Sequence, residues 1–505
     1  MTDVPPPSLG ARVLRGIETF VLGHAAQLAA ALFVTPILTH RLGEEGYALY
    51  ALIGIAQGYL LILNLGLGTG VQRFAGTYRR QPERLAGMLR VALCVNGAMG
   101  VVGLALLAGM RHWLAESFFR VQGQPVAVVA SVLGWAALMA PSAFVLNFAT
   151  NALYGLERLK EYNFFQAAQS ILTLVVSAAV VTSGRGIETV AAAIWLVYAV
   201  LAAAALFSVR EQLSRPPRLG ASDRRALFEY SLTTLVSQFL WMFSVQGDRL
   251  VIGWSLPLGQ LGRYNLSAGL AQKLNVFLGA IAGAAFPVMT DLHARGDNKR
   301  LKRLYLKLTE LTLLVIFPVT IVAFVLAPQF FGIWLRGQDI GRFAVWPFRL
   351  LVIANLGYIV SFMPQYIALS RGAAGVHARV YAAKLVLLAI LWPLLVPKQG
   401  LKGVALGLAI AECLVAPGYL AVVHRKFLSV GALEFWQEAC WRPCAATALL
   451  AAILLPTHQL FDGWGSLVGG AAASLAAYGA FAYWLLDEAA KTVLHDWVRA
   501  KVKTS

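Results

Sequence analysis

Apolar residues gather into fourteen stretches, near 17–39, 48–72, 88–110, 127–153, 164–183, 190–209, 228–254, 263–287, 306–327, 344–369, 381–396, 403–423, 442–456 and 466–486. A bilayer core about 30 Å thick is crossed by roughly 20 helical residues, so each stretch predicts a transmembrane helix. The run at 442–456 is short. Arg442 before it and the polar THQ after it frame a thin, tilted or re-entrant span. Every connection is brief, the longest outer ones being about 17 residues, so no extramembrane domain is expected to house an active site. The predicted fold class is an all-α polytopic membrane protein.

Composition agrees. The 505-residue chain is 59% hydrophobic and 13% charged, whereas about a quarter of a soluble protein is charged. A net charge of +18 would suggest nucleic acid in a soluble chain, but here the basic residues punctuate apolar runs too long for strands. A nucleic-acid partner is thereby excluded. Cys94, Cys413, Cys440 and Cys444 form neither a disulfide framework nor a CxxC pair, so no metal or redox cofactor is expected. The first apolar run exceeds a signal-peptide core and lacks a cleavage site, and it is expected to stay in the mature protein.

Basic loops remain in the cytoplasm, and their distribution is one-sided. With the N-terminus inside, 30 of the 42 lysines and arginines fall on the cytoplasmic side, 11 on the other, and Lys273 within a span. Both termini are then cytoplasmic.

The chain also looks duplicated. LGEEGYALYALIGIA from Leu42 has a counterpart in LGQLGRYNLSAGLA from Leu258, each opening the second helix of a six-helix half. The expected organisation is a first bundle at 1–210, a cytoplasmic linker at 211–225, a second bundle at 226–426, two added helices at 427–490 and a tail at 491–505. Repeats of this kind build many transporters, with the substrate site between the halves.

Several strings resemble the polysaccharide transporter family of the multidrug/oligosaccharidyl-lipid/polysaccharide exporter superfamily, the O-antigen and exopolysaccharide repeat-unit flippases. They are LTHRLGEEGYALYALIGIAQGYLLILNLGL (38–67), ALYGLERLKEYN (152–163), QGDRLVIGWSLPLGQLGRYNLSAGLA (246–271) and PKQGLKGVALGLAIAE (397–412). Ala48 departs from the pattern, since the family more often has glycine there, and a slightly looser helix contact is expected. The resemblance implies two six-helix bundles in pseudo-twofold repeat around an alternating-access cavity, with two helices appended. It also implies a substrate, an undecaprenyl-pyrophosphate-linked oligosaccharide moved across the bacterial inner membrane, and other polysaccharide assembly proteins as partners.

Ionisable residues at membrane depth are functional candidates. Lys273 lies about ten residues into its span, roughly 15 Å deep. It either meets the pyrophosphate or forms a structural pair. Glu412 has nearly the same depth, so a Lys273–Glu412 contact is expected; the alternatives are a coupling proton site and a plain hydrogen bond. At 100° per residue, Asn265, Ala268, Gln272, Asn275, Gly279 and Gly283 of helix eight share a small, polar face, with Lys273 about 100° from its centre.

Thr233, Ser237, Ser244 and Asp248 form a stripe at helical spacing, suiting either a wet cavity or a helix contact. Asp248 and Arg249 together either serve the cavity or fix the helix end. Arg12 and Arg15 share a face with Glu18 and, like Arg73, either collect the diphosphate at the entrance or act as positive-inside anchors. Asn147 and Asn151 are expected to glue helices.

No GxxxxGK[ST], GxSxG or HExxH pattern is present, and an enzyme is not expected. Two rival readings stay open. A multidrug/cation antiporter of the same superfamily would want deep carboxylates in the first bundle. A polysaccharide polymerase or ligase would want a large outer loop.

Overall fold

The computed structural model describes residues 9–64, 66–119, 125–486 and 491. Its long elements are all helices, and no strand occurs among the described residues. In chain order they are α1 (Leu9–Leu60), α2 (Leu67–Thr77), α3 (Pro82–Trp113), α4 (Val126–Gly155), α5 (Leu159–Thr182), α6 (Ile187–Ser208), α7 (Arg210–Ser214), α8 (Ala221–Ser255) and α9 (Leu258–Lys273). They continue as α10 (Val276–Ala294), α11 (Asn298–Val325), α12 (Ala327–Trp334), α13 (Asp339–Ser370), α14 (Ala374–Gln399), α15 (Leu401–Val423), α16 (Ala432–Phe435), α17 (Trp441–Thr457) and α18 (Trp464–Leu485).

The fourteen apolar stretches are largely helical, but 48–72 is interrupted between the end of α1 at Leu60 and the start of α2 at Leu67, where Gly66 has φ 74°, and 263–287 is interrupted at Leu274–Asn275. Among the described residues, eleven helical segments are long and apolar enough to cross a membrane, and this is a multi-pass membrane protein. The count is three short of fourteen. The first stretch and the start of the second count as one because both lie on α1, which is divided by Gly43 at φ 69°, a left-handed conformation that glycine adopts without steric cost. The stretches at 228–254, which carries Asp248 and Arg249, and at 263–287, which is split between α9 and α10, fall outside the eleven. Large apolar side chains such as Leu196, Val200, Leu394 and Val468 are more than half exposed, as lipid-facing helix surfaces require.

The chain forms two compact units. One comprises Glu18–Leu266 with Tyr381–Val404; the other comprises Met1–Ile17, Ser267–Val380 and Ala405–Ser505. In the first, Leu67, Val71, Leu89, Phe148 and Leu153 are at most 4% exposed and form the core of α2, α3 and α4. Small residues set the helix separations there: a Cβ on Gly100 would sit 2.8 Å from Pro141 Cα, and one on Gly155 2.5 Å from the Gln72 carbonyl.

The 211–225 stretch is fastened down within this unit. Arg90 donates to the Leu213 and Arg215 carbonyls at 2.8 and 3.1 Å, and Arg218 N–H donates to Glu83 O at 2.9 Å. Asp223 caps α8 through Gly220 N–H and accepts from the Tyr78 hydroxyl at 3.1 Å. Burial, then that bond, raise the Tyr78 phenol above its ordinary pKa.

In the second unit, Leu301, Tyr305, Leu313, Met363 and Ile367 form one core. Ala446, Leu450 and Leu454 of α17 and Leu467 and Tyr478 of α18 form another with Val325 and Leu326 of α11. The short run at 442–456 lies within a longer helical segment. Helix extends over Ala432–Leu460, 29 residues. Its N-terminal part, ALEFWQEAC, was hidden because Glu434, Gln437 and Glu438 interrupt the apolar run; Glu434 is paired to Lys302 at 2.7 Å.

Candidate functional site

The span expected at 263–287 is not one helix. α9 ends at Lys273, Leu274 and Asn275 form a turn, and α10 starts at Val276. A continuous helical face through Gln272, Asn275 and Gly279 therefore does not exist. Asn355 of α13 braces the break. It donates to the Ala271 carbonyl at 2.7 Å, which also accepts from Leu274 N–H at 3.2 Å, and its Oδ1 accepts from the Asn275 side-chain amide at 3.1 Å. Gln272 is exposed and Lys273 is half-buried in the last turn of α9, where a cation complements the negative helix end. Among the described residues Lys273 makes no hydrogen bond or ion pair, so the expected contact with Glu412 is not formed. Broken helices with polar ends mark substrate and ion sites in transporters.

In the first unit, Asp248 and Arg249 do not end their helix, which continues to Ser255. Both are buried, at 2% and 6% exposure. Tyr264 donates to Asp248 Oδ2 at 2.6 Å, Arg249 approaches Oδ1 at 3.3 Å, and Arg249 Nε donates to Asn265 at 3.4 Å. A buried carboxylate requires such partners. Ser244, one turn earlier, is also buried.

The two similar strings meet in this same unit. Arg263 pairs with Glu44, and a Cβ on Gly262 would lie 3.1 Å from the Glu44 carbonyl and the Ala48 nitrogen. Ala48 does not loosen the contact, because Gly262 supplies the missing bulk allowance from the opposite helix. Arg73, exposed on α2, lies over the Tyr230 ring at 4.4 Å and makes no ion pair among the described residues.

A polar pocket of about 100 Å³ lies among α1, α4, α5 and α6 of the first unit, lined by Gln57, Asn147, Asn151, Gln166, Gln169 and Tyr198 among others. None of its lining residues is charged. Asn64 donates to Asn147 Oδ1 at 2.7 Å and Gln72 to Asn151 Oδ1 at 2.6 Å, so the two asparagines do join helices as expected. The pocket beside them was not anticipated.

A family model for polysaccharide biosynthesis proteins matches residues 50–338. The chain belongs to that family. A Shigella flexneri relative named "Putative O-antigen transporter" is 21% identical over 401 residues, 78% of this chain and 94% of its own. Among solved structures, this polysaccharide biosynthesis protein is similar to an inward-facing multidrug resistance MATE family transporter of the MOP superfamily, with TM-score 0.66, 18% identity and coverage of 80% and 99%. It is also similar to the lipid II flippase MurJ in an inward closed conformation, with TM-score 0.65, 13% identity and coverage of 90% and 97%. At these identities the two structures establish the all-helical transporter fold.

The remaining expected site residues of this family member fall as follows. The side chains of Arg12, Arg15, Glu18, Thr233 and Ser237 lie outside the described residues. Glu412 is half-buried on α15, and Gly357 of α13 packs against it so closely that a Cβ would be 3.0 Å from Glu412 Cβ. A buried acid was overlooked. Glu310, 3% exposed on α11, binds Arg442 at 2.8 Å and Lys307 at 3.1 Å. Its i, i+3 spacing from Lys307 was the available signal.

Proposed function

We propose that this protein flips undecaprenyl-pyrophosphate-linked oligosaccharide repeat units across the bacterial inner membrane by alternating access, for O-antigen or exopolysaccharide synthesis. The observation that carries the reading is the polysaccharide biosynthesis family match on a chain with a transporter fold. The likeness to a lipid II flippase supports it, since that fold is compatible with moving a lipid-linked saccharide. In this reading the chain is two six-helix halves with two helices added, is not an enzyme, and keeps both termini in the cytoplasm, as the basic loops favour.

The residue roles follow from charge. A diphosphate needs cations, and Lys273, at a helix break without an ion-pair partner among the described residues, is the central one. Arg12, Arg15 and Arg73 serve the cytoplasmic entrance. Gln272, Asn275 and Ser237 supply polar contacts to the headgroup, Ser244 and Asp248, 1% and 2% exposed, hold their helix instead, and Glu412 and Glu18 serve ion coupling or structural pairing. Other polysaccharide assembly proteins supply and receive the lipid.

The MATE likeness favours a second reading, an antiporter for cationic drugs. Deletion of the gene, followed by mass spectrometry of membrane lipids, separates the two. Accumulated lipid-linked saccharides are expected; their absence, together with hypersensitivity to cationic drugs, would hand the function to the antiporter.

A further inference from the structure

Amide and hydroxyl side chains that only tie helices together leave no space between them, yet the pocket of the first unit holds about 100 Å³. A polar void of that size takes about three waters, each occupying some 30 Å³. Two or three adjacent hydroxyls of a sugar ring occupy similar space. We propose that this pocket binds the hydroxyl edge of a neutral sugar, through Gln57, Gln169 and Tyr198. The proposal deepens the flippase reading and rests on it for the sugar's source.

The donor and acceptor inventory carries the assignment. Gln57 is 4% exposed; its Nε2 is spent on the Ala136 carbonyl, while its Oε1 is buried without a partner. A buried orphan acceptor is costly, and a ligand donor would relieve it. The Tyr198 hydroxyl accepts from Gln169 Nε2 at 2.7 Å, and the Tyr162 hydroxyl accepts from Gln166 at 3.2 Å. Neither phenol donates to a described residue, so each retains a proton for the pocket. Gln166 at the rim is exposed, giving a way in.

Such a mixture of free donors and free acceptors matches a hydroxyl, which both gives and receives. A metal cation would want acceptors alone, usually with a carboxylate among them. A phosphate would want cations. The lining contains neither a carboxylate nor a cation.

The test uses the purified full-length protein in detergent and ligand-observed saturation-transfer NMR. The probes are glucose, galactose, mannose, rhamnose and N-acetylglucosamine, with sodium chloride exchanged for choline chloride in a parallel arm. At least one sugar is expected to receive saturation from the wild type. Tyr198→Phe and Gln57→Leu, checked for folding by their melting curves, are expected to weaken that binding about tenfold, as loss of a directed hydrogen bond does.

Absence of saturation for all five sugars overturns the proposal, as does equal saturation in the folded variants. Sodium-dependent stabilisation of the wild type alone, without sugar binding, would also overturn it and make the pocket a cation site. The lipid analysis of the deletion strain judges flipping separately. Accumulated lipid-linked saccharides with no sugar binding would sink the pocket and spare the flippase. Sugar binding without accumulation would do the reverse.

Discussion

Tyr264 donates its hydroxyl to the Asp248 carboxylate at 2.6 Å, and the two side chains are 0% and 2% exposed. Arg249, 6% exposed, completes the cluster at 3.3 Å. The carboxylate is thus held between a phenol and a guanidinium inside the apolar core of α8 and α9.

Removing one partner should cost more than the contact is worth, because the other charge stays buried. Arg249→Ala is expected to destabilise the protein by about 3–5 kcal/mol. Tyr264→Phe should cost about 1.5–3 kcal/mol. Thermal unfolding in detergent measures both. An Arg249→Ala variant melting at the wild-type temperature would show that the cluster holds nothing together.

The meeting of the two similar strings gives a second prediction. Gly262→Ala would place a methyl 3.1 Å from backbone atoms of Glu44 and Ala48, so the helices must part. Overpacking of this kind costs about 1–3 kcal/mol. Gly54→Ala, which meets nothing within 4 Å, serves as the control and should be neutral or stabilising. Equal melting temperatures for the two variants would refute the close contact.

Glu310 fastens α17 to α11 through Arg442. Arg442→Leu is expected to expose helix 432–460 to protease near its N-terminal end while leaving the first unit's fragments intact. The cost is expected to be about 3–5 kcal/mol, again because a buried acid loses its principal partner. Unchanged proteolysis at equal abundance would argue that the Lys307 contact at 3.1 Å suffices.

The helical architecture was legible because a continuous apolar run of membrane length admits few other structures. What sequence hid were the places where helix and hydropathy part company. The break after Lys273 is braced by Asn355, 80 residues away in sequence from Asn275, and no local pattern announces that contact. Helix 432–460 begins in a segment interrupted by acidic residues, of which Glu434 is paired across elements with Lys302. The neutral pocket drew no notice because a search for charged residues passes over glutamines and tyrosines, and its position depends on four helices coming together.

Lys273 carries the last prediction. It sits at the end of α9 beside a backbone break, and no described residue neutralises it. An ammonium held there is poorly screened and interacts strongly with a diphosphate. Lys273→Ala is therefore expected to lower export of repeat units at least tenfold, whereas Lys273→Arg should retain part of the activity because the charge survives. A purely structural lysine would behave differently: both variants would lose membrane abundance and melting temperature without a change in transport per molecule. Export must accordingly be compared at equal abundance. Wild-type export by Lys273→Ala would remove the central cation from the proposed mechanism and shift the diphosphate contact to the entrance arginines, Arg73 first, since its guanidinium faces only aromatic rings among the described residues.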